Sequence, residues 1–149
     1  MASLKFLNMN NNPRVIHLQL KPARGVPMQS VSVIEAVAEQ GLRNDAQFGR
    51  SHRQVLIIER EALDKFGLPI GDVRENITVE GIPLAGLLAG TRMQVGGALL
   101  EVTMDCTPCK FIEAKRPGLR TQMEGRRGTL FRVIEGGVIG LGDEVRIVA

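Results

Sequence analysis

Apolar and polar residues follow strand patterns along most of the chain. Arg14–Leu20 has the two-residue period of a strand, and Gln54–Ile58 is a continuous, largely β-branched run typical of a buried strand. Val31–Ala38 fits a strand or a short helix by periodicity, and its β-branched residues favour a strand. Gly96 and Gly97 separate two further runs as a two-residue hairpin would. The predicted strands are Arg14–Leu20, Val31–Ala38, Gln54–Ile58, Asn76–Val79, Thr91–Val95, Ala98–Thr103, Leu130–Ile134 and Glu144–Val148.

One segment has the pattern of a helix. Glu59–Phe66 is rich in helix formers and is followed by Gly67 and Pro69, which end a helix. Elsewhere 17 glycines and seven prolines interrupt the chain, so only short helices are expected. Many short strands separated by turn residues predict a mainly β protein, either a barrel or a sandwich, with a few short helices.

Length and composition indicate an ordinary globular chain. With 149 residues and 44% apolar residues, we expect one domain, residues 1–149, with a hydrophobic core. The longest apolar runs are far too short to cross a bilayer, and the first residues do not resemble a signal peptide. We therefore predict a cytoplasmic protein that does not bind membranes. In that compartment its two cysteines are expected to be reduced.

Positive charge is concentrated in one part of the chain. The net charge is only +3 and there is no Trp or Tyr, which argues against a nucleic-acid-binding protein. Residues 110–132, however, carry seven basic and two acidic side chains. The arginines and backbone N–H groups of the turn Gly125–Gly128 are candidate donors to an anion such as a phosphate.

Two cysteines precede the basic segment directly. Nearby positive charge would favour the thiolate form of Cys106 or Cys109, which is the reactive and metal-binding form. Alternatively, the basic loop is simply solvated and Cys109 is a buried apolar residue. The Cys-x-x-Cys spacing also fits a redox dithiol, but Pro117 and Gly118 leave room for only one helical turn after it. A zinc site would need His17 and His52, which lack the usual spacing.

Several motifs, taken in order, resemble the MOSC family, the domain named for the C-terminal part of molybdenum cofactor sulfurase. The resemblance covers about residues 15–148 and leaves residues 1–14 as an N-terminal extension. The segments that carry it are Lys21–Pro27, Gly41–Asp45, His52–Ile57, Arg74–Gly81, Thr107–Cys109, Gly125–Gly128 and Gly140–Asp143.

The resemblance implies a closed or partly closed β-barrel and a pterin-based molybdenum cofactor. It implies that Cys109 is the catalytic thiol, which either carries sulfur as a persulfide or ligates molybdenum. Asp45, His52 and Asn76 would bind the cofactor together with Lys110, Arg126 and Arg127.

The resemblance further implies a short, free-standing bacterial protein. Its activity would be the reduction of N-hydroxylated compounds or the transfer of sulfur to a metal centre. Pyridoxal phosphate would be involved only through a separate cysteine desulfurase, and an electron-transfer protein is the other expected partner.

Two positions depart from the family pattern. Asn44 stands where relatives often have Gly, but Asn tolerates the left-handed backbone of such a turn. Gln47 stands where they often have His, and its amide cannot transfer protons. Two other classes of function remain open, namely a non-catalytic module that binds an anionic molecule through its basic loop, and a thiol-redox protein that uses Cys106 and Cys109.

Overall fold

The computed structural model describes residues 12–148, which form eleven strands and three short helices. The strands are β1 Arg14–Leu20, β2 Gln29–Val31, β3 Val33–Val37, β4 Gly41–Leu42, β5 Val55–Glu59, β6 Ile77–Glu80, β7 Arg92–Val95, β8 Ala98–Asp105, β9 Thr129–Glu135, β10 Gly137–Gly140 and β11 Val145–Val148. The helices are α1 Arg60–Lys65, α2 Lys110–Glu113 and α3 Leu119–Gln122. The prediction of a mainly β fold with a few short helices is confirmed.

The strands form one large and one small sheet. The eight-stranded sheet has the order β11-β7-β8-β9-β5-β6-β1-β2, and the three-stranded sheet has the order β10-β3-β4. All neighbouring strands are antiparallel except β5 and β6, which are parallel. A parallel pair needs a crossover connection, and here that connection contains α1.

The large sheet curls, but the predicted barrel is not confirmed. Neither sheet closes on itself within the described residues. The start of β1 does reach the segment before β11, where Val15 N donates to Asp143 O at 2.9 Å and Val145 N donates to Pro13 O at 3.0 Å. These bonds replace only part of a strand ladder, so the sheet remains open.

Most predicted elements occur where the sequence pattern placed them. β1 has the predicted bounds, and the glycine hairpin pairs Val95 with Ala98 between β7 and β8. The predicted strand Val31–Ala38 is divided at Ser32 into β2 and β3, which belong to different sheets. Of the predicted N-terminal extension, residues 1–11 lie outside the described residues, and Arg14 is the first residue of β1.

Two apolar clusters hold the elements around the site. The larger one fills the space between the sheets and includes Leu18, Ile57 and Phe131, all fully buried. The second packs the helices against one another through Leu63, Phe66, Ile112, Leu119 and Met123. This second cluster anchors α2 and α3, and with them the loop that carries both cysteines.

The helices of residues 12–148 are all too short or too polar to cross a bilayer.

Candidate functional site

Residues from distant motifs meet around a cavity of about 220 Å³, which we call the Arg127 cavity. Its walls come from the loops after β1 and β4, from β5 and β9, and from the segments that precede β6 and follow β8. The lining residues are Lys21, Met28, Asp45, Gln47, Arg53, Gln54, Leu56, Arg74, Asn76, Cys106, Arg127 and Leu130.

Asp45 ties three of these segments together. Its Oδ1 accepts hydrogen bonds from Lys21 N at 2.8 Å and from Asn76 Nδ2 at 3.1 Å. Its Oδ2 accepts one from Gln47 N at 3.1 Å. Asn44, directly before it, has a φ of 71°, so the turn is left-handed as expected from the sequence. The buried carboxylate thus sets the shape of the cavity wall.

Asn76 completes this arrangement from the neighbouring strand. Its Oδ1 accepts from Leu56 N at 3.0 Å, and its own backbone N–H donates to Leu56 O at 2.8 Å. The side chain therefore continues the β5–β6 ladder beyond its last regular pair while its Nδ2 holds Asp45. The side chains of Asn76 and Asp45 are thus hydrogen-bonded to each other, and their direct role is to build the cavity wall.

Arg127 and Gln47 bring unsatisfied polar atoms into the cavity. Arg127 is only 5% exposed, and neither its Nε nor its Nη1 finds a hydrogen-bond partner among residues 12–148. The buried Oε1 of Gln47 also lacks one in that range. Leaving a buried charge unpaired is costly, so a group of this kind needs a partner such as a ligand, an ion or an ordered water. The cavity therefore offers buried donors to an anion.

The turn that delivers Arg127 is fixed by a glycine. Gly128 has a φ of 119°, and a Cβ there would lie 2.9 Å from Leu56 Cδ1 and 3.3 Å from Ile57 O. Any other residue would be strained here, because the backbone angle is unfavourable for a side chain and a Cβ would crowd Leu56 and the carbonyl of Ile57. The glycine therefore lets the turn that carries Arg127 pass close to β5.

The two cysteines differ in environment. Cys109 is exposed at the start of α2, whereas Cys106 is buried against Leu56 and Leu130 and lines the Arg127 cavity. The alternative in which Cys109 is a buried apolar residue is therefore wrong, and the buried cysteine is Cys106.

The Cys109 thiol favours its charged form. Partial burial raises the pKa of Cys109, but the backbone N–H groups of Phe111 and Ile112 and the charges of Arg127 and Arg120 outweigh it, so that the pKa is lowered. A cysteine at a helix N-terminus beside arginines is typical of a reactive thiolate. Arg127 therefore lines the cavity and also lowers the pKa of the Cys109 thiol.

Three predicted cofactor-binding residues lie outside the Arg127 cavity. His52 and Lys110 are exposed and are not among its described lining residues, and the backbone carbonyl of His52 accepts a hydrogen bond from Thr103 Oγ1 at 2.6 Å. Arg126 borders another cavity, of about 280 Å³, which we call the Arg126 cavity. That cavity is lined by Glu59, Glu61, Ala62, Lys65, Gly81, Ile82, Pro83 and Arg126. The roles predicted for these three residues remain predictions.

Sequence reasoning missed three cationic residues of the Arg127 cavity. Lys21, Arg53 and Arg74 all line it. A signal for Arg74 was present, because it belongs to the same motif as Asn76. Lys21 and Arg53 belong to two other motifs of the resemblance, Lys21–Pro27 and His52–Ile57, but a basic residue in a loop is not distinctive by itself.

The described residues contain no group of three or more His, Cys, Asp or Glu side chains able to hold a metal ion. Cys109 is not among the described residues that line the Arg127 cavity, and the charge of Arg127, which lowers the pKa of Cys109, is what links the two. The exposed thiolate of Cys109 is a soft donor for a metal. Such a donor suits a metal whose other ligands belong to a cofactor. It does not suit a structural zinc ion, which needs four protein ligands.

Comparisons with known proteins identify the family and the fold. The model of the MOSC domain matches residues 44–146, and no curated protein matches the chain. The YuaD protein of Bacillus subtilis has a similar structure, with a TM-score of 0.76 and 20% identity over 90% of this chain and 94% of that one.

Two YiiM proteins are also similar in structure. The protein of Geobacillus stearothermophilus has a TM-score of 0.71 and 19% identity over 92% of this chain and 75% of its own. The protein of Escherichia coli has a TM-score of 0.69 and 19% identity over 91% and 70%. At such identities these structures establish a shared fold.

Proposed function

Because this chain belongs to the MOSC domain family, which is associated with binding of the molybdenum cofactor, we propose that it binds that pterin cofactor in the Arg127 cavity. In this proposal Cys109 supplies the protein thiolate, either as a ligand of molybdenum or as a sulfur carrier. The protein would then act as an oxidoreductase on N-hydroxylated compounds or as a sulfurtransferase.

The observation that supports the proposal most strongly is the unpaired, buried guanidinium of Arg127. A phosphate group would accept hydrogen bonds from its Nε and Nη1, and Lys21 and Arg53 would add positive charge at the wall of the same cavity. The residues present thus fit an anionic cofactor. Asp45 lines the same cavity, but its single negative charge is outnumbered there by the four cations Lys21, Arg53, Arg74 and Arg127.

The exposed Cys109 thiolate supports the second half of the proposal. As a ligand, it would donate a soft sulfur atom to molybdenum. As a sulfur carrier, it would attack the outer sulfur of a donor persulfide: a new S–S bond forms at Cys109, the donor's S–S bond breaks, and the donor leaves as a thiolate. This exchange involves no net oxidation or reduction. A separate pyridoxal-phosphate-dependent cysteine desulfurase would be a suitable donor.

When bound, the cofactor would supply two-electron chemistry such as reduction of an N–O bond, with electrons from an electron-transfer protein. The chain's own residues would bind and orient it. Arg127 would hold its anionic group, and the Asp45–Asn76 pair would keep the cavity open. Gln47 cannot supply a proton, so any proton needed in such a reaction would come from elsewhere.

Elemental analysis and fluorescence of the oxidised pterin test this proposal on protein purified from a host that makes the cofactor. We expect stoichiometric molybdenum and pterin in the wild type, loss of both in Arg127→Gln, and loss of molybdenum in Cys109→Ser. Arg146→Gln, an exposed arginine on β11, is the matched control and should retain both. Absence of molybdenum from the wild type, or unchanged molybdenum in Cys109→Ser, would contradict the metal-binding version.

A non-catalytic module that binds a different anion is the second candidate. The unpaired Arg127 donors favour it equally, since any phosphate could accept from them. It predicts that Cys109→Ser retains the ligand whereas Arg127→Gln loses it. The dithiol reading is less well supported, because Cys106 is buried and Cys109 is exposed.

A further inference from the structure

A second cavity adjoins the Arg127 cavity and has a different character. It has a volume of about 320 Å³, and we call it the Arg74 cavity. Its lining residues are Lys21, Gly25, Val26, Pro27, Met28 and Arg74. Lys21, Met28 and Arg74 also line the Arg127 cavity, so the two spaces meet at these residues.

The guanidinium of Arg74 is held in place by an aromatic ring. It stacks on Phe111 with 3.8 Å between its Cζ and the ring centroid. Lys115 contacts the same ring at 4.5 Å and is itself fixed by an ion pair of 2.8 Å to Asp72. Phe111 belongs to α2, two residues after Cys109, so the helix that carries the thiol also positions Arg74. Such stacking orients an arginine without consuming its hydrogen-bond donors.

The backbone of Arg74 is fixed as well. Its φ of 63° is left-handed, which is unfavourable for a residue other than glycine. The neighbouring Glu75 is fully buried, and its Oε2 accepts from Gly71 N and from Thr78 Oγ1, both at 2.7 Å. Strained backbone of this kind clusters at active sites and ligand-binding sites. Among residues 12–148 the Arg74 side chain has no hydrogen-bond or ion-pair partner.

The opposite wall combines a second cation with an apolar surface. The backbone of Lys21 is fixed by Asp45 Oδ1 at 2.8 Å and by Ala46 N, which donates to Lys21 O at 2.7 Å. Val26, Pro27 and Met28 complete this wall, and Val26 is exposed. None of the described lining residues is acidic. The cavity thus presents two cations above an apolar wall, which matches a molecule with one anionic end and an apolar body.

We propose that the Arg74 cavity is a substrate subsite that takes carboxylates with an aromatic or aliphatic body. Arg74 binds the carboxylate, and Phe111 is the positioning residue that holds the guanidinium toward it. The inference rests on the proposed function, since it places the substrate beside the cofactor in the Arg127 cavity. It goes beyond that function by naming the charge and shape of the substrate.

Titration of the purified protein with 2-naphthoate and with the neutral 2-naphthamide, followed by calorimetry, tests the subsite. We expect the wild type to prefer the carboxylate by at least about tenfold, as for a charge-assisted hydrogen bond. Arg74→Gln should abolish the preference. Phe111→Leu should weaken naphthoate binding by about threefold through loss of the cation–π contact, and Phe111→Tyr should restore it. Arg146→Gln should bind as the wild type does.

Molybdenum and pterin contents of the same samples separate this inference from the proposed function. Arg74→Gln that keeps both but loses the preference for naphthoate supports the subsite. Equal binding of naphthoate and naphthamide by the wild type overturns it, and so does loss of pterin from Arg74→Gln, which would assign Arg74 to the cofactor. A wild type that contains neither molybdenum nor pterin would refute the proposed function but not the subsite. If that protein still prefers naphthoate to naphthamide, the result supports an anion subsite.

Discussion

Arg126 and Arg127 are adjacent in one turn, yet they border two cavities of opposite character. The Arg126 cavity is the larger, at about 280 Å³, and its acidic residues are satisfied. Glu59 Oε2 accepts from Leu84 N at 2.7 Å, and Glu61 Oε2 accepts from Gly81 N at 2.9 Å. The Arg127 cavity is smaller, at about 220 Å³, but contains buried donors and an acceptor without partners in the described chain.

The difference lies in the pairing of the buried polar groups and not in the size of the cavity. In the Arg126 cavity the two carboxylates already accept backbone hydrogen bonds, and Arg126 itself is exposed to solvent. A cavity with an unpaired buried guanidinium gains a charge-assisted hydrogen bond that was missing in the free protein. We therefore expect anion binding at Arg127 and not at Arg126.

The largest expected effect on stability comes from removing the buried carboxylate beside each cavity. Asp45→Ala deletes three accepted hydrogen bonds, so we expect the free energy of unfolding in urea to fall by about 3 kcal/mol. Glu59→Ala deletes the acceptor for Leu84 N, so we expect a loss of about 2 kcal/mol.

Binding of inorganic phosphate, measured by calorimetry below the unfolding transition, should separate the two variants. Asp45→Ala should lose it, because the wall of the Arg127 cavity is no longer fixed, whereas Glu59→Ala should retain it. Loss of phosphate binding in both would show that the two cavities are not independent.

Substitution of each of the two neighbouring arginines tests whether the two cavities differ in anion binding. Arg127→Gln should weaken binding of inorganic phosphate by about 100-fold, since it removes a buried charge with two unpaired N–H donors that would bond to the anion. Arg126→Gln should change the affinity by less than about twofold, as is usual for an exposed charge. Similar losses in the two variants would mean that general positive charge, and not the buried guanidinium, binds the anion.

A third, smaller effect concerns the thiol. Because the pKa of Cys109 is lowered, its alkylation by iodoacetamide should remain fast at a pH where an ordinary cysteine is protonated. Arg127→Gln and Arg120→Gln should each shift the pH profile of the rate toward higher pH. The shift should be partial, because the N–H groups of Phe111 and Ile112 still favour the thiolate. The signal must be assigned to Cys109 by peptide mass, and an unchanged profile in Arg127→Gln would separate the thiol from the cavity.

The fold was predictable where the sequence has a clear period. β1, β5 and the β7–β8 hairpin follow from alternation, apolar runs and the Gly96–Gly97 pair. β4 and β10 were missed, because Gly41–Leu42 and Gly137–Gly140 are short and rich in glycine. Barrel closure could not be decided from the sequence, since it depends on pairing between residues far apart in the chain.

The sequence motifs indicated which segments contribute to the site, but not which of their side chains line the same cavity. Asp45, Asn76 and Arg127 line one cavity, while Arg126, one residue away, borders another. Neighbouring residues in an irregular turn have no fixed period that would assign them to faces, so the sequence cannot tell which of the two arginines is buried. Burial of Cys106 and exposure of Cys109 depend in the same way on packing against Leu56 and Leu130.

Thermal unfolding of Arg127→Met, in the absence and presence of inorganic phosphate, tests directly whether the buried guanidinium of Arg127 is kept unpaired for an anion. If the guanidinium is kept unpaired for a ligand, the variant without phosphate should be more stable than the wild type by about 1–3 kcal/mol, because an uncompensated buried charge is removed. Phosphate should then raise the unfolding temperature of the wild type but not of the variant. A variant that is less stable than the wild type and still responds to phosphate would contradict the account.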